Sequence, residues 1–474
     1  MYFAKVAGAL GLLAVLIAGG AHGAMAATAY QPNQITATVL RPNLPVTTQV
    51  VVRTPPANPK AHIAIIVMHA FGGSANNAAC TAMAQRGYTT LCIDHTYSGH
   101  QFDYKGYEDH APALSAAVNH LRNNVPGVTK IVLLGHSMGG PLMAFYANVS
   151  ENGAAICQRP ERIIACVTTN LVDAQGRNKL PPIDGVILSD THPGDAIATF
   201  TYVDPAITDP ASPGKRDPQL DMFAAANGYP GDAQAGAPTY RGANYSTDFS
   251  NRFFDAQAAR NAQIMKQAQD ALARIKAGDK SVYPDDALIV VPGAEGAARL
   301  LQADLDLWKC TKRAHTFLTR DGRTEMSPGP ICSVRLPSAS LEGANSVNTV
   351  IHVPARVWLG SRAIRTNGPY RQTLDGITGI DWDSSNTSTL TNMKTVTKPL
   401  LMISHGAHYF MAPDEMIFDA AKSADKTFVV LEGATHPGTP CEECATARGL
   451  PKDYFGDTMT RRHDFLDEWL AKRF

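Results

Sequence analysis

The sequence predicts an α/β protein: a mostly parallel sheet flanked by helices, carrying one large insertion. Three observations predict it. The runs 62–69 (HIAIIVMH) and 130–134 (KIVLL) are almost continuously apolar, the mark of a strand buried on both faces. Such runs alternate with stretches whose apolar residues fall at helical spacing. The alternation stops for about 200 residues, from 195 to 396, and then resumes.

Taken in order, 35–40 and 48–53 read as short strands ahead of the main unit. Strand 62–69 is followed by a helix over 74–86, a strand at 89–94 and a helix over 111–124. Strand 130–134 leads into the helix 138–147, and 184–189 (DGVILS) is a further strand. The interruption opens rich in Pro, Gly and Asp. It contains one long helical stretch, 249–277, with Phe253, Ala256, Ile264, Ala268, Ala271 and Ile275 on repeated turns. Strand-like runs follow at 287–291 and 347–359. Buried strands return at 399–404 and 427–432, and 460–472 closes the chain as a helix carrying Phe465, Leu466, Trp469 and Leu470. One core is therefore expected from two pieces, 27–194 and 397–474, with 195–396 inserted between them.

The composition suits this reading. Of 474 residues 45% are hydrophobic and 18% charged, enough to bury a large core. The 42 basic and 42 acidic residues cancel, and no long cationic run occurs. Nucleic acid and anionic membrane are therefore not expected as main partners. Residues 1–26 read as a signal peptide: Lys5, then an apolar run over 6–18 too short to span a bilayer comfortably, then Ala24-Met25-Ala26 as a cleavage site. A secreted or periplasmic protein without stable membrane insertion is expected. In that compartment an even count of 8 cysteines suggests disulfides. The local pairs are Cys157–Cys166, Cys310–Cys332 and Cys441–Cys444, which leaves Cys80–Cys92. Half a metal site at Cys441-x-x-Cys444 is the alternative, but no second CxxC or paired-His motif accompanies it.

The strongest functional pattern is Gly135-His136-Ser137-Met138-Gly139-Gly140, between the KIVLL strand and an apolar helix. G-x-S-x-G in that setting is a nucleophile elbow, in which a tight turn lifts the serine oxygen above the sheet. A Gly-rich turn with a spectator serine is the bland alternative. One βαβ unit upstream, directly after the 62–69 strand, stands His69-Ala70-Phe71-Gly72-Gly73.

With these two motifs the chain resembles the α/β-hydrolase superfamily, over both core pieces and not over the insertion. The resemblance implies an oxyanion hole formed by the backbone N–H groups of Phe71 and Met138; Ala70 stands where Gly is more common. His69 is read as bracing its loop. The family places its base after the last strand, which here is His436 in Gly433-Ala434-Thr435-His436. The acid usually follows the preceding strand in G-x-x-D-x-x-x-P. Here Gly406 and Pro413 keep that spacing, but Tyr409 occupies the Asp position. Relatives such as haloalkane dehalogenases and certain lipases place the acid one strand after the nucleophile helix. That position is Asp190, at the tip of the 184–189 strand, with Glu415, Asp381 and Asp383 as alternatives. His405 and His408 lie one strand too early for the base.

Ser137 excludes the Asp-nucleophile dehalogenases and epoxide hydrolases. No Walker loop, G-x-G-x-x-G or H-E-x-x-H is present, and the chemistry needs no cofactor or metal. The insertion falls where the family carries its lid, which walls a substrate pocket; an oligomerisation subdomain is the other reading. The helix near Phe253, Trp308 and Trp358 are candidate pocket residues, although single aromatics are more often core. The expected activity is hydrolysis of a carboxylic ester, through an acyl-enzyme, on a small to medium, partly apolar molecule. Lactonase, amidase and thioesterase activities use the same machinery. A catalytically silent binding protein is the reading that Tyr409 favours.

Overall fold

Residues 36–40, 50–56, 58–69, 74–93, 106–231, 242–279, 288–292, 300–337 and 350–474 are described by the computed structural model. Among them the strands are β1 (Thr36–Leu40), β2 (Val50–Thr54), β3 (Ile63–Met68), β4 (Thr89–Ile93), β5 (Lys130–Ser137), β6 (Gly185–Thr191), β7 (Leu288–Pro292), β8 (Thr316–Leu318), β9 (Thr324–Met326), β10 (Val350–Pro354), β11 (Arg365–Thr373), β12 (Gly376–Asp381), β13 (Leu400–His405) and β14 (Lys426–Leu431). Ten of them form one sheet in the order β1-β2-β4-β3-β5-β6-β13-β14-β8-β9. The seven from β4 to β8 run parallel, and β1, β2 and β9 extend the edges antiparallel.

The two-sided burial expected of the apolar runs is present, because alternate side chains of a strand face opposite ways. Ala64, Ile66, Met68 and Leu133 pack with Leu114, Leu142, Phe145 and Ile417, from the helices Tyr107–Asn124, Gly139–Asn152 and Met411–Ala420. Ile63, Ile65, Val67 and Val132 pack on the other face with Met83, Leu466 and Trp469, from the helices Ala78–Gln85 and Thr458–Ala471.

Several elements differ from the expectation. The helix predicted over 111–124 starts at Tyr107 and runs through Pro112. Its Asp109 carboxylate accepts the Gly106 N–H at 3.1 Å, a first-turn cap that sets the start upstream of the apolar spacing. Of the strand read over 347–359, residues 347–349 lie outside the described residues and 350–354 are strand; the chain then turns helical, burying Trp358. The hairpin β11–β12 was not legible. The segment 195–396 does not lie wholly apart from the core, since its β8 and β9 add to the sheet edge beside β14.

The rest of that segment builds apolar clusters of its own. The helix Thr247–Lys276, capped by Ser246, carries Phe249, Phe253 and Phe254 into a cluster with Phe200, Trp308 and Tyr370. Phe410 and Ala412 of the 397–474 piece join that cluster, so the segment is seated beside β13. Trp358 packs in a separate cluster with Ile264 and Val353. Trp308 and Trp358 are both fully buried, so they are core residues rather than pocket lining. All four expected pairs are disulfides: Cys80–Cys92, Cys157–Cys166, Cys310–Cys332 and Cys441–Cys444. Cys441 and Cys444 are thus not half of a metal site. Among the described residues no helix is long and apolar enough to cross a membrane.

Candidate active site

Parallel strands bring their C-terminal tips to one edge of the sheet, and β5, β6 and β13 are neighbours there. Ser137 ends β5 in the left-handed region, with φ +55°. Small residues are required around it: a Cβ on Gly140 would overlap Thr191 Oγ1, and one on Gly139 would overlap the Met68 carbonyl. Met138 caps the helix that follows, so its N–H lies at the positive end of the helix dipole. Phe71, Ala70, Gly72 and Gly73 lie outside the described residues, as do residues 1–26.

Asp190 reaches the site through a bulge. Pairing of β5 with β6 shifts between His136↔Ser189 and Ser137↔Thr191, leaving Asp190 without a partner across the ladder. Its φ is +44°, a left-handed conformation that Asp tolerates better than most residues. A bulge re-aims a side chain, and here the carboxylate is turned towards the loop after β14. His436 Nδ1 lies 2.5 Å from Asp190 Oδ2, and His436 Nε2 lies 2.8 Å from Ser137 Oγ. The three residues form one hydrogen-bonded line.

The alternative acids point elsewhere. Glu415 is buried against His315 Nε2 at 2.6 Å and accepts the Lys312 N–H at 2.5 Å. Asp381 pairs with Arg365 at 3.0 Å, and Asp383 with Lys394 at 3.0 Å. Tyr409 lies against the His408 ring, tilted to it, and beneath the Arg335 guanidinium.

Four groups around this line were not identified from sequence. His136 Nε2 donates to the His436 carbonyl at 2.7 Å. His405 Nδ1 donates to the preceding carbonyl, Thr435, at 2.7 Å, and its backbone N–H donates to Asp190 Oδ1 at 3.2 Å. His408 stacks on the His436 ring at 4.3 Å between centroids. Its Nδ1 comes within 2.8 Å of Asp190 Oδ2, at an angle outside that of a hydrogen bond. The fourth group is Asp414, completely buried in the first turn of the helix after β13. His69 stacks on His136, and its backbone N–H is held by Ser74 Oγ at 2.8 Å.

Burial sets the charge states. It holds His405 down at about 4 and His408 at about 3, against the partial opposition of the Asp190 charge, so both are neutral at neutral pH. His136 is lowered well below the ordinary value by burial and then by His436. For Asp190 burial opposes ionisation, but the surrounding histidines, His408 first, outweigh it and hold the carboxyl well below the usual range. Asp414 goes the other way: burial and then the Asp190 charge raise it well above that range. One carboxylate and one neutral carboxylic acid therefore share the interior.

His136, Asp190 and His436 also bring potential metal-ligating atoms within 4.8 Å of one another. The donors that would serve are already hydrogen-bonded, to the His436 carbonyl and along the Ser137–His436–Asp190 line.

A family model described as the alpha/beta hydrolase fold matches residues 63–190, the stretch from β3 through the elbow to Asp190. With the parallel sheet, that match identifies the fold. The chain has the α/β-hydrolase fold. No curated protein matches the chain in sequence. Similar solved structures include a soluble variant of monoglyceride lipase from Saccharomyces cerevisiae, 11% identical, covering 94% of this chain and 97% of that one, with a TM-score of 0.40. A proline iminopeptidase from Mycobacterium smegmatis is 16% identical, covering 92% and 98%, with a TM-score of 0.35. The esterase domain of a Rhodothermus marinus protein is 11% identical, covering 93% and 98%, with a TM-score of 0.34. Within this hydrolase fold, Ser137 stands on the strand-to-helix turn and His436 on the loop after β14.

Proposed function

We propose that the protein is an exported serine hydrolase that cleaves carboxylic esters through an acyl-enzyme. The observation that carries this reading is the hydrogen-bonded line Ser137–His436–Asp190 at the tips of β5 and β6. A serine hydroxyl needs a base beside it to attack a carbonyl, and His436 Nε2 is in reach of its proton. Asp190 fixes His436 with its proton on Nδ1, leaving Nε2 bare, and stabilises the imidazolium formed on attack. The tetrahedral oxyanion falls to the Met138 N–H at the helix start, with the Phe71 N–H as its proposed partner. His436 then returns the proton to the leaving alcohol. Water, deprotonated by the same imidazole, releases the acid.

The Asp190 line supports catalysis over the silent-binder reading, whose support was Tyr409 in the usual acid position. Export is supported by the 1–26 segment and by the four disulfides, which persist in oxidising compartments. The test is turnover of a chain-length panel of aryl and alkyl esters, with matched lactones, thioesters and amides, by wild type and Ser137→Ala. Ester turnover lost in the variant supports the reading. Amide or lactone turnover exceeding ester turnover changes the bond, and turnover that survives in Ser137→Ala refutes the mechanism.

A further inference from the structure

Behind the base loop, on the face of the sheet that carries the helices Ala78–Gln85 and Thr458–Ala471, lies a cavity of about 220 Å³. Asn77, His136, Ser189, Pro437, Met459 and Arg462 are among the residues lining it. Arg462 decides its character. The residue is only 6% exposed. A guanidinium carries five N–H donors, yet its one hydrogen bond among the described residues goes to His463 Nε2, at 3.3 Å. No carboxylate among the described residues comes within ion-pair distance. Asp190 acts on it only from farther away, and both Asp190 oxygens are engaged, by His405 N–H and His436.

A largely buried cation without a counter-ion is costly, because burial strips most of its water and His463 Nε2 alone accepts from it among the described residues. Burial lowers Arg462 to about 10 against the raising effect of Asp190, which leaves it charged at neutral pH. The volume equals roughly seven waters at about 30 Å³ each, enough for a planar or tetrahedral anion and part of its hydration. The start of the Ala78–Gln85 helix, at Asn77 and Ala78, turns the positive end of its dipole to the same space.

We infer that this cavity binds a small oxyanion, inorganic or carboxylate, with the Arg462 guanidinium as its principal contact. The site touches the loop that carries His436. Pro437 forms part of the wall, and a Cβ on Gly438 would lie 2.6 Å from Arg462 Nη1, so that loop rests directly on the guanidinium. Thr458 Oγ1 donates to the Gly438 carbonyl at 2.6 Å and ties the same loop to the helix of Arg462. The inference does not depend on the proposed reaction.

Thermal unfolding of the full chain, titrated separately with inorganic phosphate and with acetate, tests it. Ionic strength is held constant with a bulky sulfonate salt. The expected result is a saturable rise of about 2–4 °C with at least one anion, absent in Arg462→Gln. Phosphate alone assigns an inorganic oxyanion, and acetate alone a carboxylate. Met459→Glu places a carboxylate three residues before Arg462 on the same helix. That variant should melt higher than wild type without added anion and should not respond to either anion, which keeps the test decisive if Arg462→Gln does not fold. No saturable rise in wild type, or an equal rise in Met459→Glu, overturns the inference; an equal rise is the general effect of a kosmotropic salt.

Discussion

His136 donates its Nε2 proton to the main-chain carbonyl of His436, so the residue beside Ser137 fixes the backbone of the imidazole that faces it. His405 holds the preceding carbonyl, Thr435, in the same way. Two neutral imidazoles therefore grip consecutive peptide groups of one loop, which carries the base to Ser137 from β14. His136→Phe keeps the ring and removes the donor. It should lower kcat by about 10–100-fold with little change in KM, because a small misplacement of the base is felt in the transition state. His136→Gln, which can still donate, should recover part of the loss. A change confined to KM would show that His136 acts on substrate binding instead.

Asp190→Asn should lower turnover by about 10⁴-fold, since an amide stabilises the wrong tautomer of His436 and cannot balance its charge. Glu415→Gln should leave turnover within a few fold. Its effect belongs to stability, through the lost pairing with His315 and Arg313. Steady-state kinetics and melting curves of the two variants separate the roles. A large kinetic loss in Glu415→Gln would reassign the acid.

Asp414→Asn distinguishes the two buried carboxyls. Asp414 is raised well above the ordinary value in the fold, so its contribution to stability is present below the unfolded value of 3.8 and is lost as pH rises through its folded value. A neutral amide should therefore be tolerated. Melting temperature near pH 7–8 should be equal to wild type or higher, and turnover should stay within about tenfold. A loss as large as that of Asp190→Asn would mean that Asp414 works as an anion.

The neutral histidines predict an acid-labile fold. His405 at about 4 and His408 and His463 at about 3 all lie below the unfolded value of 6.5. Between those limits the unfolded chain binds more protons than the folded one. Stability from these groups is complete above pH 6.5 and is lost as pH falls towards 3–4. The melting temperature should be nearly flat above pH 7 and fall steeply from 6.5 to 4, with a shallower fall in His463→Asn. An unchanged slope in that variant would remove His463 from the account.

The disulfides predict that the mature, unreduced protein has no alkylatable thiols. Each bridge should contribute about 2–4 kcal/mol, with Cys310–Cys332, which spans 22 residues, near the upper end. Reduction should lower the melting temperature, and Cys441→Ser with Cys444→Ser should disturb the loop that carries His436. Four free thiols under denaturing, non-reducing conditions would contradict both the bridges and the proposed export.

The fold was legible because burial on both faces of a parallel strand writes itself as a run such as IAIIVM, and because Ser137 and His436 sit at positions defined by strand ends. Asp190 was legible as the end of a strand, but the bulge that aims it was not. A one-residue register shift leaves no trace in composition, and an aspartate that tolerates a left-handed φ looks like any turn residue. His136, His405, His408 and Asp414 were passed over because their roles come from packing between strands far apart in sequence. The short strands β8 and β9 were invisible for the same reason: three residues carry no periodicity, and their place is set by the open edge of β14.

The central claim is that Ser137 is a nucleophile activated by His436. Reaction with a fluorophosphonate probe, followed by intact mass and peptide mapping, tests it most directly. One adduct per chain on Ser137 is predicted, slowed by orders of magnitude in His436→Ala and absent in Ser137→Ala. A wild-type protein that is folded, as judged by its melting transition, and takes no label at Ser137 would contradict the claim.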